Sequence, residues 1–158
     1  MDCPRNPIRN SVKIFIGADH AGTEMKDYII PRLTKAGFPI EDVGCLRSTI
    51  ADDYPDIAVK VARHVSKHPN SKGILICGTG TGMVIAANKV KGIRAALCYD
   101  RYSAQMARAD NDANILTLRG RNVSKNLTWG ITKVWLSTPF SGQERHLRRI
   151  KKISKLER

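Results

Sequence analysis

A cysteine followed by a glycine-rich turn is the feature of this sequence best suited to chemistry. The apolar run Gly73-Ile-Leu-Ile-Cys77 predicts a buried strand, and Gly78-Thr79-Gly80-Thr81-Gly82 predicts a turn that opens a helix. Glycines let such a turn approach a ligand closely, and its free amides favour negative charge. A thiol beside these amides is stabilised as the thiolate, which acts as a base or a nucleophile. The segment therefore predicts proton or covalent chemistry beside an oxyanion.

Nucleotide binding and simple packing are the competing interpretations of this segment. A P-loop requires Lys and then Ser or Thr after its last glycine, where this chain has Met83-Val84. A dinucleotide fingerprint requires G-x-G-x-x-G, and the spacing Gly78-x-Gly80-x-Gly82 does not match it. An isolated cysteine is often only a small buried hydrophobic residue. The segment alone leaves packing open as an alternative to catalysis.

The composition is typical of a globular protein with reduced thiols. The chain has 158 residues, and none of its apolar runs approaches the roughly 20 residues of a membrane span. Its four cysteines, at positions 3, 45, 77 and 98, show no C-x-x-C spacing, so we expect neither a disulfide framework nor a metal site. We expect a cytoplasmic protein, with residues 1–11 as a flexible lead-in and residues 12–158 as a single domain.

The net charge of +13 is the main argument for a different function, binding of nucleic acid. Seven Lys or Arg and two Glu in residues 141–158 give that segment +5, which leaves +8 over the other 140 residues. The segment reads as a basic helix whose apolar arc needs a partner surface: Leu147, Ile150, Ile153 and Leu156. Because no RNA-binding aromatic motif accompanies it, we expect nucleic acid not to be the main ligand.

Strands and helices alternate along the chain. Strands are predicted at Val12–Gly17, Pro39–Val43, Gly73–Cys77, Arg94–Cys98 and Ile115–Leu118. Helices are predicted at Thr23–Ala36, with a kink or break at Pro31, from Tyr54 to about Pro69, at Thr81–Asn88, Asp100–Ala109 and Ser124–Leu136, and from about Gly142. The alternation predicts an α/β fold: a Rossmann-like, three-layer αβα sandwich around a five-stranded parallel sheet.

Ligands of such sheets bind beyond the carboxyl ends of the strands. That rule gathers four groups of residues along one sheet edge: Asp19-His20, Cys77 to Gly82, Asp100, and Arg119 to Arg121.

Eight short motifs, in order and in register, resemble ribose-5-phosphate isomerase type B. They are Gly17-Ala-Asp19-His20-Ala-Gly22, Asp53-Tyr54-Pro55, Ile76-Cys-Gly-Thr-Gly-Thr-Gly82, Ala86-Ala-Asn-Lys89, Gly92-Ile-Arg-Ala-Ala96, Tyr102-Ser-Ala-Gln105, Asn111-Asp-Ala-Asn114 and Arg145-His146. The resemblance implies an aldose–ketose isomerase that interconverts ribose 5-phosphate and ribulose 5-phosphate through an enediolate, without metal or nucleotide. A relative acting on allose or galactose 6-phosphate remains the closest alternative.

The resemblance also implies a role for each matching residue. Cys77 would be the base, and Thr79 would relay a proton between the sugar oxygens. The amides of Gly78, Thr79, Gly80, Thr81 and Gly82 would form the anion hole. Contacts to the sugar would come from Asp19, His20, Tyr54 and Asn111. The structural alternatives are that Tyr54 only packs at a helix start and that Asn111 only makes a turn.

Phosphate recognition falls, by the same resemblance, to Arg121, Arg145 and Arg149. Arg145 and Arg149 are four residues apart, so both lie on one face of the predicted helix. In the family the equivalent segment reaches across a homodimer, and the active site combines residues of both subunits; a tetramer is the further possibility.

One position departs from the family pattern. Members that act on ribose 5-phosphate usually carry His immediately before the Asn111 turn, where it opens the sugar ring, and this chain carries Asp110. A carboxylate is a poorer proton donor than imidazole at neutral pH. Three hypotheses follow: Asp110 opens the ring, His20 takes over that role, or the enzyme prefers another sugar phosphate or the open form.

Overall fold

The computed structural model describes residues 12–44 and 53–157. The predicted lead-in over residues 1–11 lies outside the described residues. Within them five strands and six helices follow one another: β1 (Lys13–Ala18), α1 (Thr23–Lys35), β2 (Ile40–Asp42), α2 (Tyr54–Lys67), β3 (Ser71–Cys77), α3 (Thr81–Ala87), β4 (Ala95–Leu97), α4 (Arg101–Ala109), β5 (Ile115–Arg119), α5 (Lys125–Ser137) and α6 (Glu144–Ser154).

All five strands are parallel and form one sheet in the order β2-β1-β3-β5-β4. From β1 the chain moves to β2 on one side and then returns to place β3 on the other. The order of the strands therefore reverses between β1 and β3, where α/β sheets form their ligand crevice. This confirms the predicted five-stranded parallel sheet.

Helices cover both faces of the sheet, which gives the three predicted layers. On one face, α1, α4 and α5 bury Ile29, Ala104 and Trp135 against the strands. On the other face, α2 and α3 bury Val61 and Met83. The central strands read as almost continuous apolar runs because both faces are buried, as in β3 with Ile74, Leu75 and Ile76 fully enclosed.

At Pro31 the sequence predicted a kink or a break of the first helix. The break is wrong, because α1 continues through Pro31 to Lys35. The ring of Pro31 lies on an exposed side of the helix, where it displaces no core contact. The other predicted elements exist with ends shifted by at most two residues, as expected for fraying termini.

The C-terminal helix α6 packs little against its own chain. His146 is its buried residue, while Leu147 and Ile153 of the predicted apolar arc are 50% and 44% exposed. The arc thus lacks a cover within the described part of the chain.

Candidate active site

The crevice at the carboxyl ends of β1 and β3 contains the predicted base. Cys77 ends β3 and is 5% exposed, in the core cluster beneath α2 and α3. The amide of Gly80 donates a hydrogen bond to Cys77 Sγ at 3.1 Å. A backbone donor at this position holds the sulfur against the turn, so the turn and the thiol form one structural unit.

Gly80 bends the turn back over the cysteine. Its φ of +82° lies in the left-handed region, and a Cβ there would come within 2.5 Å of Leu97 Cδ1. Both constraints demand glycine. Thr79 remains exposed beside it, and its hydroxyl accepts a hydrogen bond from the amide of Thr81 at 3.3 Å.

Asp19 follows β1 and is held by the backbone next to the cysteine strand. Its amide donates to Ile76 O at 3.2 Å, and its Oδ1 accepts from the amides of Ala21 and Gly22, each at 3.0 Å. The carboxylate is buried, whereas His20 beside it is exposed. Asp19 thus stands as a fixed acceptor at the crevice, with His20 free to meet a ligand.

Tyr54 and Gly82 meet across the crevice. Tyr54 begins α2, is 41% exposed, and covers Gly82 so closely that a Cβ there would lie 2.4 Å from two ring carbons. The ring therefore forms a wall against the glycine-rich turn, and its contact with a sugar stays a prediction.

Arg121 joins the same crevice from the segment after β5. The amide of Gly120 donates to Cys77 O at 2.7 Å, and that of Arg121 donates to Gly78 O at 3.2 Å. A Cβ on Gly78 would lie 3.6 Å from Arg121 Nη1. A guanidinium thus lies directly over the turn, where a phosphate or another anion would bind.

The remaining predicted residues lie at the opposite edge of the sheet. Asn111 follows α4, and its carbonyl accepts from Nε of Arg94, which immediately precedes β4, at 3.0 Å. The next residue, Asp112, accepts from the same guanidinium, and β5 begins at Ile115. Asp110 and Asn111 are therefore at the amino ends of β4 and β5.

Helix α6 begins beside this second group. Ser141 N donates to Ala109 O at 3.0 Å, and Asp110 Oδ1 lies 3.6 Å from Nε2 of His146. Arg145 and Arg149 are exposed on the same helix. One strand of five residues at about 3.3 Å each separates the two edges, so these residues do not reach Cys77 of their own chain.

His146 is the residue of this group to which the sequence pattern gave no role. Its ring is 3% exposed; Nδ1 lies 2.7 Å from Ser141 Oγ, and Nε2 accepts from Arg145 Nε at 3.0 Å. A signal for its burial existed, because His146 precedes Ile150 by four residues and Ile153 by seven, on the apolar side of the helix. It orients Arg145 and adjoins Asp110.

Comparison with known proteins places this arrangement in a family. The family model for ribose/galactose isomerases matches residues 14–153. This chain belongs to the ribose/galactose isomerase family.

Solved structures and a curated relative agree with that assignment. A ribose 5-phosphate isomerase of Thermotoga maritima superposes with a TM-score of 0.86 at 47% identity, over 91% of this chain and 98% of that one. A ribose-5-phosphate isomerase B of Mycoplasma genitalium, solved with bound ribulose-5-phosphate, gives 0.89 at 42% identity, over 92% and 96%. A D-erythrulose-4-phosphate isomerase of Pectobacterium atrosepticum is 40% identical over 83% of this chain and 86% of its own length.

Neither a metal-binding cluster nor a membrane-spanning helix is present in the described residues. Within residues 12–44 and 53–157, no group of three or more His, Cys, Asp or Glu side chains could hold a metal ion. Across those same ranges, no helix combines the length and the apolar character that a membrane span needs.

Proposed function

We propose that this protein interconverts ribose 5-phosphate and ribulose 5-phosphate through an enediolate, as an isomerase of the pentose phosphate pathway. The observation that carries the proposal is the hydrogen bond from Gly80 N to Cys77 Sγ, beside the buried carboxylate of Asp19. The names of the two solved relatives support the same substrate pair.

The proposed chemistry is a proton transfer between neighbouring carbons. The Cys77 thiolate takes the proton from C2 of the open aldose, the C2 electrons form the C1–C2 double bond, and the carbonyl oxygen becomes negative. The thiol then returns the proton to C1, while the Thr79 hydroxyl moves a proton from O2 to O1. Every bond is accounted for without a redox cofactor.

The turn and its neighbours would hold the substrate during this transfer. Amides of Gly78 to Gly82 that are not already bonded to Cys77 or Thr79 would donate to the enediolate oxygen. Asp19 and His20 would contact the sugar hydroxyls, and Tyr54 would form the wall of the sugar pocket.

We further propose that residues 12–158 form one domain and that two copies complete each site. This is supported by the distance between two groups of site residues in one chain. The carboxyl-edge group is Cys77 with the glycine-rich turn, and the amino-edge group is Asp110, Asn111, Arg145 and Arg149. The amino-edge group of one chain can meet a carboxyl-edge group only in a second chain. The uncovered arc of α6 supplies an apolar surface for that contact. A homodimer is the smallest assembly that satisfies both, and pairing of dimers into tetramers stays a prediction.

Other sugar phosphates are the alternative substrates. The family includes galactose isomerases by its description, and one relative is named for a tetrose phosphate. A tetrose 4-phosphate cannot close a five-membered ring, since its O4 is esterified, so it would not require ring opening by Asp110. Substitution of Asp110 by Asn should slow turnover of cyclic ribose 5-phosphate if Asp110 opens the ring; an unchanged rate would remove it from the mechanism.

The decisive experiment is an isomerase assay without added metal on ribose 5-phosphate, ribulose 5-phosphate, allose 6-phosphate and D-erythrulose 4-phosphate. The proposal expects the highest kcat/KM for the pentose pair. Activity on none of the four would overturn it. A cytoplasmic location and the absence of a nucleic-acid ligand stay predictions; binding to nucleic acid that weakens steeply with salt would contradict the second.

A further inference from the structure

Arg119 lies next to the predicted base on the neighbouring strand. It is the last residue of β5, and the parallel register pairs it with Cys77, the last residue of β3. Paired residues of neighbouring strands are about 4.8 Å apart and project from the same face of a sheet. Both side chains therefore leave the sheet at its carboxyl edge, on the same side.

The alternation along β5 identifies that side. Leu116 and Leu118 belong to the core beneath α1, α4 and α5, and Ile115 belongs to the core beneath α2 and α3, together with Cys77. Arg119 is four residues after Ile115, so it emerges on the face of α2, α3 and the glycine-rich turn.

The guanidinium of Arg119 is partly enclosed, and among the described residues it has no hydrogen-bond or ion-pair partner. Its Nε is fully buried without a hydrogen bond, and no carboxylate of the described residues lies within 4.0 Å of it. The two most deeply buried cations elsewhere in the described residues are paired: Lys26 with Asp42 at 2.6 Å, and Arg108 with Asp112 at 2.7 Å. An arginine is permanently charged, so an enclosed donor without a protein acceptor indicates an anionic ligand.

The charged and titratable groups around Cys77 leave room for such an anion. Arg121 lies over the turn, His20 and Tyr54 border the crevice, and the one carboxylate among these neighbours is Asp19. Asp19 Oδ1 is already satisfied by two backbone amides. It is not paired with Arg119.

We propose that Arg119 is a catalytic residue that donates to the negatively charged oxygen of the enediolate. This inference rests on the proposed function, and it adds a side-chain donor to the backbone amides of the turn. A group that binds charge present only in the intermediate accelerates the reaction without tightening substrate binding. Substitution of Arg119 should therefore change kcat much more than KM.

Two ligands separate binding of the intermediate from binding of the ground state. A four-carbon phosphosugar hydroxamate carries a planar, anionic head group that resembles the enediolate, whereas ribitol 5-phosphate has the phosphate and hydroxyls but no carbonyl. Titration calorimetry should measure the affinity of both ligands for the wild type, Arg119→Met and Arg119→Lys. The control is Arg63→Met, which removes a charge from the exposed face of α2.

We expect Arg119→Met to lower the affinity for the hydroxamate at least about tenfold, and the affinity for ribitol 5-phosphate less than about threefold. Arg119→Lys should recover part of the loss, and Arg63→Met should change neither affinity. In steady-state kinetics, Arg119→Met should lower kcat by about 100-fold with little change in KM.

Equal hydroxamate affinity in the wild type and Arg119→Met would overturn the inference while leaving the proposed isomerase intact. Equal losses for both ligands would also overturn it, since they would indicate uniform binding or disturbed folding. If the wild type binds neither ligand, the proposed function fails first and the inference fails with it.

Discussion

The two cysteines within the described residues occupy opposite environments. Cys77 lies at the sheet edge, where Gly80 donates to its sulfur. Cys98 is enclosed beneath the helices of the other face, where burial raises the pKa of its thiol to about 12. A thiol that remains protonated at neutral pH cannot remove a proton from carbon. The fold therefore makes Cys77 a candidate base and Cys98 a packing residue.

Substitution of Cys77 by Ala should abolish exchange of the C1 proton of ribulose 5-phosphate with deuterated water, because no other thiolate adjoins the turn in the described part of the chain. Binding of ribitol 5-phosphate should change little. Proton NMR measures the exchange, and Cys98→Ala is the matched control that should retain it. Exchange that persists in Cys77→Ala would exclude this residue as the base.

Lys72, at the start of β3, is a buried cation that costs stability. Its Nζ lies 5.4 Å from the centroid of the Trp135 ring, and burial, reinforced by the charge of Arg108, lowers the pKa of Lys72 to about 8. Since the unfolded chain keeps this proton up to the ordinary lysine range, it binds more protons than the folded protein between about pH 8 and 10. Stability should therefore rise with pH in this window.

Substitution of Lys72 by Met removes that cost. We expect the free energy of unfolding at pH 7 to increase by about 1–3 kcal/mol, and the gain to shrink steadily between about pH 8 and 10. Urea unfolding at pH 7, 8.5 and 9.5 measures this, with the exposed Lys67→Met as control. A gain that is the same at all three pH values would show that desolvation of the charge is not its cause.

The site residues were predictable where they are contiguous in the sequence. Cys77, Gly80 and the turn between them are contiguous, so the sequence alone indicated a thiol beside amides. The places of His146 and Arg119 were harder to predict. The burial of His146 beside Ser141 and the pairing of Arg119 with Cys77 both depend on how the chain folds. Register across strands cannot be read from one strand.

At the scale of elements, the turn after β1 is fixed by its contact with β3. A Cβ at Gly22 would lie 2.3 Å from the carbonyl oxygen of Ile76, although the φ of Gly22, −104°, suits any residue. Gly142 is the opposite case: its φ is +64°, and nothing lies within 4 Å of a Cβ there. One glycine is required by space and the other by conformation.

These two glycines give a matched pair of substitutions. Gly22→Ala should lower the free energy of unfolding by about 2–3 kcal/mol, because backbone must move. Gly142→Ala should cost about 1 kcal/mol, the ordinary penalty of a left-handed residue. Urea unfolding at neutral pH compares them. Equal costs would mean that the β1 turn yields without strain, contrary to its packing on Ile76.

The order of the elements was predictable from periodicity, whereas their exact ends and the path through Pro31 were not. An exposed proline removes one hydrogen bond, and packing of Ile29 and Leu33 on either side of it holds α1 together. At Pro31, packing against the core outweighs the low helix propensity of proline. The local sequence does not reveal that packing.

At the scale of the whole molecule, the parallel sheet divides the predicted site. Because α4 runs back from the carboxyl edge to the amino edge, Asp110 and Asn111 end up a full strand length from Cys77. The sequence predicted Asp110, Asn111 and Cys77 as members of one site, and only the topology shows that they are far apart within one chain. Catalysis by the proposed mechanism then requires two chains arranged so that opposite edges meet.

Mixing two inactive variants tests this directly. Cys77→Ala damages only the carboxyl-edge group, and the double substitution Arg145→Met with Arg149→Met damages only the amino-edge group. In a twofold dimer that exchanges subunits freely, half of the dimers are mixed and each contains one intact site, so activity should recover to about a quarter of the wild type. Each variant incubated alone is the control and should stay inactive. A mixture as inactive as its components, with mixed dimers verified by native mass spectrometry, would mean that each site is built from one chain.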